Sequence, residues 1–179
     1  AGERRDHEAC VVDQRIDAVE PVVGLRWSSW ERGEVAEVDP EDLDVGTLVS
    51  ASPADLDAVQ EEEGNQNARA KASIILVRMK PQEIRSQQGA NWGYQGILAF
   101  SKICTHVGSP VSLDERTTHH PLCHCHQATF DLADNGAVMF GQATQWLPQR
   151  PLAVDDDGFL ATQSAFAEAV GPSYWEREV

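Results

Sequence analysis

Apolar residues in this chain come in short runs, each bounded by Gly, Pro, Asp, Asn or Ser, and that pattern predicts strands rather than long helices. Val35-Ala-Glu-Val38 precedes the turn signal Asp39-Pro-Glu-Asp42, and Val45–Ala51 runs out before Pro53. Ser73-Ile-Ile-Leu-Val-Arg-Met79 is apolar, β-branched and short, as a strand buried on both faces must be. Tyr94–Ile103 is a second strong strand. Ala128-Thr-Phe-Asp-Leu132 and Ala137-Val-Met-Phe140 flank Asp134-Asn-Gly136, which predicts a hairpin closed by an Asn-Gly turn. Leu152-Ala-Val154 and Phe159-Leu-Ala-Thr162 flank Asp155-Asp-Asp-Gly158 in the same way, with a longer turn. Turn signals recurring about every eight to twelve residues predict an antiparallel all-β domain. Glu61–Asn67 and residues 80–92 read as loops, and Ser164–Val170 has a brief helical option stopped by Gly171-Pro172. Residues 1–32 keep no period and read as an extended arm, with Trp27 and Trp30 as packing anchors.

The chemistry sits in one stretch. Cys104-Thr-His106-Val-Gly-Ser109-Pro is followed by Cys123-His-Cys125-His126, with sixteen residues between the two Cys-plus-His pairs. Each pair puts one sulfur and one imidazole at the tip of a tight loop, and two facing loops supply two sulfurs to one metal and two nitrogens to another. That is the ligand set of a Rieske-type [2Fe–2S] centre, where two histidines replace two cysteines on one iron. Zinc is the rival reading, but its ligands usually run as a cysteine pair followed by a histidine pair. Two buried cysteines beside incidental histidines is the bland reading. Four soft ligands within 23 positions of a chain with six histidines weigh against it. The candidate ligands are therefore Cys104, His106, Cys123 and His126. The strand Tyr94–Ile103 runs directly into the first of them, as a rigid support for a metal loop should.

Composition narrows the partners. A formal net charge of −15 repels phosphates, which argues against a nucleic-acid binder, disfavours contact with anionic lipid and suits a basic protein partner better. No run approaches the ~18 apolar residues that span a bilayer, and the polar opening Ala1–Glu8 does not resemble a signal peptide. The chain as given is expected to be soluble, which leaves room for an anchored parent. Four cysteines do not make a disulfide scaffold at this length.

The strand into CTHVGSP, then CHCHQATF, the hairpin and QWLPQRPLAVDDDGFL resemble the Rieske iron–sulfur subunit of cytochrome bc complexes, most densely over residues 93–179. The segment PEDLDVGTLV and the ending GPSYWERE resemble its actinobacterial, menaquinol-oxidising branch. The resemblance implies a Rieske-type antiparallel β-sandwich over 33–179, with a cluster-binding part at about 103–147 formed by two metal loops. It implies Cys104 and Cys123 on the inner iron and His106 and His126 on the outer. One of these histidines would take a proton from menaquinol as the electron leaves, and the electron would pass to a cytochrome c-type haem. Partners would be the cytochrome b and cytochrome c-type subunits of a quinol–cytochrome c oxidoreductase. The head would sit on the extracytoplasmic face, tethered by N-terminal membrane segments. A Rieske-type ferredoxin or oxygenase electron-transfer domain is the alternative within the same chemistry, and a zinc-stabilised binding module the alternative outside it.

Departures from the family pattern are informative. The family's first loop carries a second cysteine that pairs with the middle cysteine of the second loop, whereas this chain has Ser109 there. Cys125 is therefore expected to be a shielded free thiol, without a bridge to Cys10. His124 replaces a proline, and Gly141-Gln-Ala-Thr144 replaces a proline-bearing loop that shields the cluster. High-potential members have Ser and Tyr donors to the cluster sulfurs, and the matching positions here are Ala128 and Phe130. Loss of both donors is expected to lower the potential by on the order of 100–200 mV.

Overall fold

Two strands buried on both faces organise the molecule, as seen in a computed structural model that describes residues 26–30, 33–51, 71, 73–113, 118–154, 157–163 and 166–173. They are β4 (Ile74–Arg78) and β5 (Ile97–Ser101), paired antiparallel with Ile74 opposite Ser101 and Arg78 opposite Ile97. With β3 (Leu48–Ala51) and β10 (Gln149–Arg150) they form the middle sheet, in the order β10-β5-β4-β3. Side chains alternate across a strand, and here each set enters a different core. Ile74, Leu76, Ile97 and Ala99 pack with Val38, Leu43, Leu152 and Leu160. Ile75, Val77, Leu98 and Phe100 pack with Cys104, Cys123, Ala128 and Phe130. This is why the sequence of β4 shows an unbroken apolar run instead of alternation.

The first core is covered by an outer sheet of β1 (Arg26–Trp30), β2 (Gly33–Glu37), β12 (Leu160–Thr162) and β11 (Leu152–Val154), in that order. Trp27 and Trp30, in the segment expected to be an arm, thus lie on a strand paired with β2. The remainder of residues 1–32 lies outside the described residues, apart from Arg26–Trp30, as does the loop expected at Glu61–Asn67. Pro151 separates β10 from β11, and its missing N–H suits the point where the chain leaves one sheet for the other. The second core is covered by the sheet β6 (Ser112–Leu113), β7 (Pro121–Cys123), β8 (Ala128–Asp131) and β9 (Ala137–Phe140). All these pairings are antiparallel, and the expected all-β class is the one observed.

Three local expectations need correction. Residues 80–92 are not all loop: Pro81–Glu83 make a 3-10 turn and Gln87–Trp92 form α1. Ser86 starts that helix, its Oγ accepting from the Gly89 N–H at 2.9 Å, an N-cap signal the loop reading passed over. The β8–β9 connection is not a two-residue Asn-Gly turn, because Asp131 pairs with Ala137 across a 3-10 turn at Leu132–Asp134. The Asp131 carboxylate accepts from the N–H groups of Ala133 and Asp134 and so captures the chain earlier than Asn135 and Gly136 could. Finally, the helical option near the C-terminus is not taken up by its described residues 166–170.

Candidate metal centre

The first loop is pinched at its base by the bridge between Ile103 and Pro110. Inside it, the Cys104 N–H donates to Ser109 O at 2.8 Å and the Gly108 N–H to Cys104 O at 3.0 Å. Gly108 has φ +85°, which reverses the chain where a side chain would strain it. The second loop is the tip of the β7–β8 hairpin, where Cys123 pairs with Ala128. Its turn is closed by the N–H groups of Gln127 and His126 on Cys123 O, at 2.7 and 3.3 Å, with Gln127 itself at φ +55°. Each cysteine is thus held at the rigid end of a strand-borne loop, and each histidine at the tip.

The four expected residues come together. Cys104 and Cys123 are free thiols, fully buried on the apolar floor made by Val77, Leu98 and Phe100. The rings of His106 and His126 stand edge to face, 4.6 Å between centroids and 84° between planes. Both rings are half-buried, and both Nδ1 atoms are fully buried with no hydrogen-bond partner among the described residues. An unsatisfied buried nitrogen costs about 1–3 kcal/mol, so two side by side with two buried sulfurs are a donor set suited to metal.

The thiols are prepared for that role. The hydrogen bond from Cys104 lowers the Cys123 thiol to about 5 against burial, helped by the backbone N–H of His126. Cys104 is pushed up as the donor of that bond and by burial. A lowered Cys123 thiol favours the thiolate, the form that binds metal. The other histidines among the described residues lie elsewhere. Buried His119 lies 3.5 Å from Glu83, His120 lies 3.9 Å from Asp131, and His124 is exposed.

Other contributing residues were not singled out from sequence. Thr105, buried between Cys104 and His106, donates its Oγ1 to Gln145 O at 2.7 Å and ties that loop to the segment after β9. Arg85 pairs with Asp131, linking the strap after β4 to the cluster-side sheet, and the Arg85 N–H donates to Ala133 O at 2.8 Å. A polar Thr between two metal-binding types was the available signal for the first; for the second there was none, since 46 positions separate the partners. Gly141, at φ +95°, passes so close to the second loop that a Cβ would lie 2.6 Å from Ala128 Cα. Ala143 and Leu147 after it are buried in the cluster-side core, so the segment without prolines still covers the site.

The expectation for Cys125 is overturned: this cysteine is disulfide-bonded. The expectation rested on the absence of a sulfur at Ser109, which removes one partner without removing all. Cys10 itself lies outside the described residues.

An antiparallel β-protein that gathers two buried thiols and two imidazoles on two neighbouring loops offers a mixed sulfur–nitrogen donor set. A family model described as "Rieske [2Fe-2S] domain" matches residues 51–151. A cytochrome bc1 complex Rieske iron-sulfur subunit from Streptomyces lividans is 44% identical over 164 residues, covering 88% of this chain and 95% of that protein. The subunit of the same name from Streptomyces coelicolor is also 44% identical, over 88% of this chain but 46% of its own length, so this chain spans about half of that relative. The soluble domain of Rieske protein II from Sulfolobus acidocaldarius matches with a TM-score of 0.43 and 18% identity, over 73% of this chain and 88% of that one. The chain belongs to the Rieske family, and its cofactor is a [2Fe–2S] cluster. The orphaned imidazole nitrogens and paired thiols fit that group.

Proposed function

We propose that this domain carries electrons from menaquinol to a cytochrome c-type haem within a bc complex. Cys104, Cys123, His106 and His126 would hold the [2Fe–2S] cluster, the imidazoles through their buried Nδ1 atoms. The observation that carries this reading is the pair of half-exposed imidazoles whose Nδ1 atoms point inward without partners. With Nδ1 turned inward, the outer ring edge offers Nε2 to an incoming hydroxyl. A quinol hydroxyl would donate a hydrogen bond to that nitrogen and pass its proton there. The bound cluster supplies a one-electron acceptor.

The surroundings support the partners. Val107, Met139, Phe140 and Trp146 are exposed large apolar side chains. All four lie on segments joined to the metal loops: Thr105 is bonded to Gln145, and Phe140 is opposite Thr129. Exposed apolar surface of this kind marks a docking face, here suited to the apolar quinol site of cytochrome b. Ala128 and Phe130 are fully buried and cannot donate to sulfur, which favours a low potential matched to menaquinol. A persistent disulfide at Cys125 favours an oxidising compartment, hence the extracytoplasmic face. Among the described residues no helix is long and apolar enough to cross a membrane, and under this reading the tether belongs to the parent protein.

The test is spectroscopic. The purified protein should absorb in the visible, and its reduced form should give a Rieske-type paramagnetic signal that His106→Ala and His126→Ala each abolish. His119→Ala, His120→Ala and His124→Ala should retain it. A colourless protein binding zinc, or a signal that survives His126→Ala and is lost in His124→Ala, would overturn the assignment. Reduction by a menaquinol analogue, faster than by a ubiquinol analogue, would support the donor.

A further inference from the structure

Away from the metal loops, a cavity of about 360 Å³ opens between the segment after β9, the turn after β8 and residues 167–169. That volume falls within the range of about 300–1,000 Å³ typical of small-molecule sites. None of Cys104, His106, Cys123 and His126 lines it. Gln149 does, and its side chain is buried, yet its Nε2 and Oε1 have no hydrogen-bond partner among the described residues. Asn135 lines the same cavity, and its buried Oδ1 is in the same condition. We propose that this cavity is a binding site for a small molecule that bears a primary carboxamide on a flat apolar body.

The backbone of both residues is fixed. Gln149 pairs with Phe100 across β10 and β5, and its carbonyl accepts from the Ala167 N–H at 2.9 Å. Cross-strand partners share a face of the sheet, so the Gln149 side chain lies on the face of Phe100, toward the cluster-side core. Asn135 closes the turn after β8 in a left-handed conformation, φ +56°. The next residue, Gly136, donates its N–H to Asp131 O and accepts from the Leu147 N–H, both at 2.8 Å. The two amides therefore reach the cavity from separate, well-anchored elements.

The unpaired atoms are an amide nitrogen and two carbonyl oxygens. A primary carboxamide is their complement, with one oxygen that accepts and two N–H groups that donate. Its oxygen accepts from Gln149 Nε2, and its N–H groups donate to Gln149 Oε1 and Asn135 Oδ1. A carboxylate has no donor and sets its charge against both oxygens. Among the described lining residues Glu168 alone carries a charge, so nothing there balances an anion. A buried polar group left unpaired is unfavourable, so a ligand that pairs all three atoms is preferred over one that pairs fewer. Trp146, with Leu147 and Pro148, supplies an apolar wall against which a flat ring can lie. The site stands independently of the cluster ligands.

The experiment uses the full chain with its cluster, and benzamide as the probe. Equilibrium dialysis should show saturable binding of benzamide. Dimethylbenzamide, which lacks both donors, and benzoate, an anion of the same outline, should each bind about tenfold more weakly or worse. Acetamide, which lacks the ring, should also bind more weakly, and Trp146→Ala should narrow its gap to benzamide. Asn135→Gly removes one acceptor at a position whose positive φ suits glycine, and should weaken benzamide about tenfold. Gln149→Glu leaves only acceptors and should exchange the preference, from benzamide to the cationic benzamidine. Absence of saturable binding, benzoate binding as tightly as benzamide, or benzamide binding untouched by Asn135→Gly would overturn the proposal. If the Gln149 variant fails to fold, the ligand series on the unaltered protein and Asn135→Gly still decide it.

Discussion

At the level of single residues, two uncharged side chains set this centre apart from the high-potential pattern. Ala128 and Phe130 are both fully buried, in the same core as the two metal-side cysteines. Thr129 between them is half-exposed and pairs with Leu122 and Phe140, so it points away as strand alternation requires. Its hydroxyl therefore does not replace the missing donors. Ala128→Ser and Phe130→Tyr should each raise the midpoint potential by about 50–100 mV, and the pair by more, from one hydrogen bond to sulfur apiece. A redox titration monitored by paramagnetic resonance measures this. An unchanged potential in all three variants would mean that backbone amides such as His106 N, 3.5 Å from Cys104 Sγ, already satisfy the sulfurs. The ligand types were legible in the sequence because each Cys–His pair is local. The inward turn of the two Nδ1 atoms was not, because ring orientation depends on the facing loop.

At the level of elements, the metal loops are held by partners distant in sequence. The cluster-side sheet is tied to the strap after β4 through Asp131, which caps the turn at Leu132–Asp134 and pairs with Arg85. Replacing it separates these duties. Asp131→Asn keeps an acceptor for the cap and loses the ion pair, which costs only up to about 1 kcal/mol because Arg85 is largely exposed. Asp131→Ala removes the cap as well and leaves two N–H groups without their acceptor, costing about 2–3 kcal/mol. Urea unfolding of the three proteins should order them wild type, Asn, Ala. If Asn proved as damaging as Ala, the ion pair would be the dominant part. Glu83, which faces His119, has its carboxyl held below the ordinary range, chiefly by a hydrogen bond from Lys80. Its contribution is present above the usual glutamate range and fades as pH falls through the lowered value.

At the level of the whole molecule, the middle sheet serves two cores at once, and this places the site. One face of β4 and β5 closes the outer sheet, and the other is the floor beneath Cys104 and Cys123. The thiols rest on the most buried part of the fold while the histidines and the apolar side chains around them face outward. Val107→Asp should therefore leave the cluster spectrum and the unfolding midpoint nearly unchanged, since Val107 is partly exposed at the tip. Under the proposed function it should slow electron transfer within the bc complex by introducing a charge into the proposed docking face. Unchanged turnover in the assembled complex would place docking elsewhere on the surface.

What the sequence by itself determined was whatever is encoded locally. Strand positions followed from apolar runs and turn residues. The proposed ligand set was read from C-x-H and C-x-x-H, each pair being local. Where it misled, a side chain had outcompeted a backbone signal: Asp131 took the turn from Asn135-Gly136, and Ser86 started a helix inside a presumed loop. Only the tertiary structure decided the rest: which core each face of β4 enters, the meeting of Arg85 with Asp131, the grip of Thr105 on Gln145, and the bonded state of Cys125. These depend on chain segments brought together by burial. Burial is driven by the total apolar area removed from water, a quantity with no local signature in the order of residues.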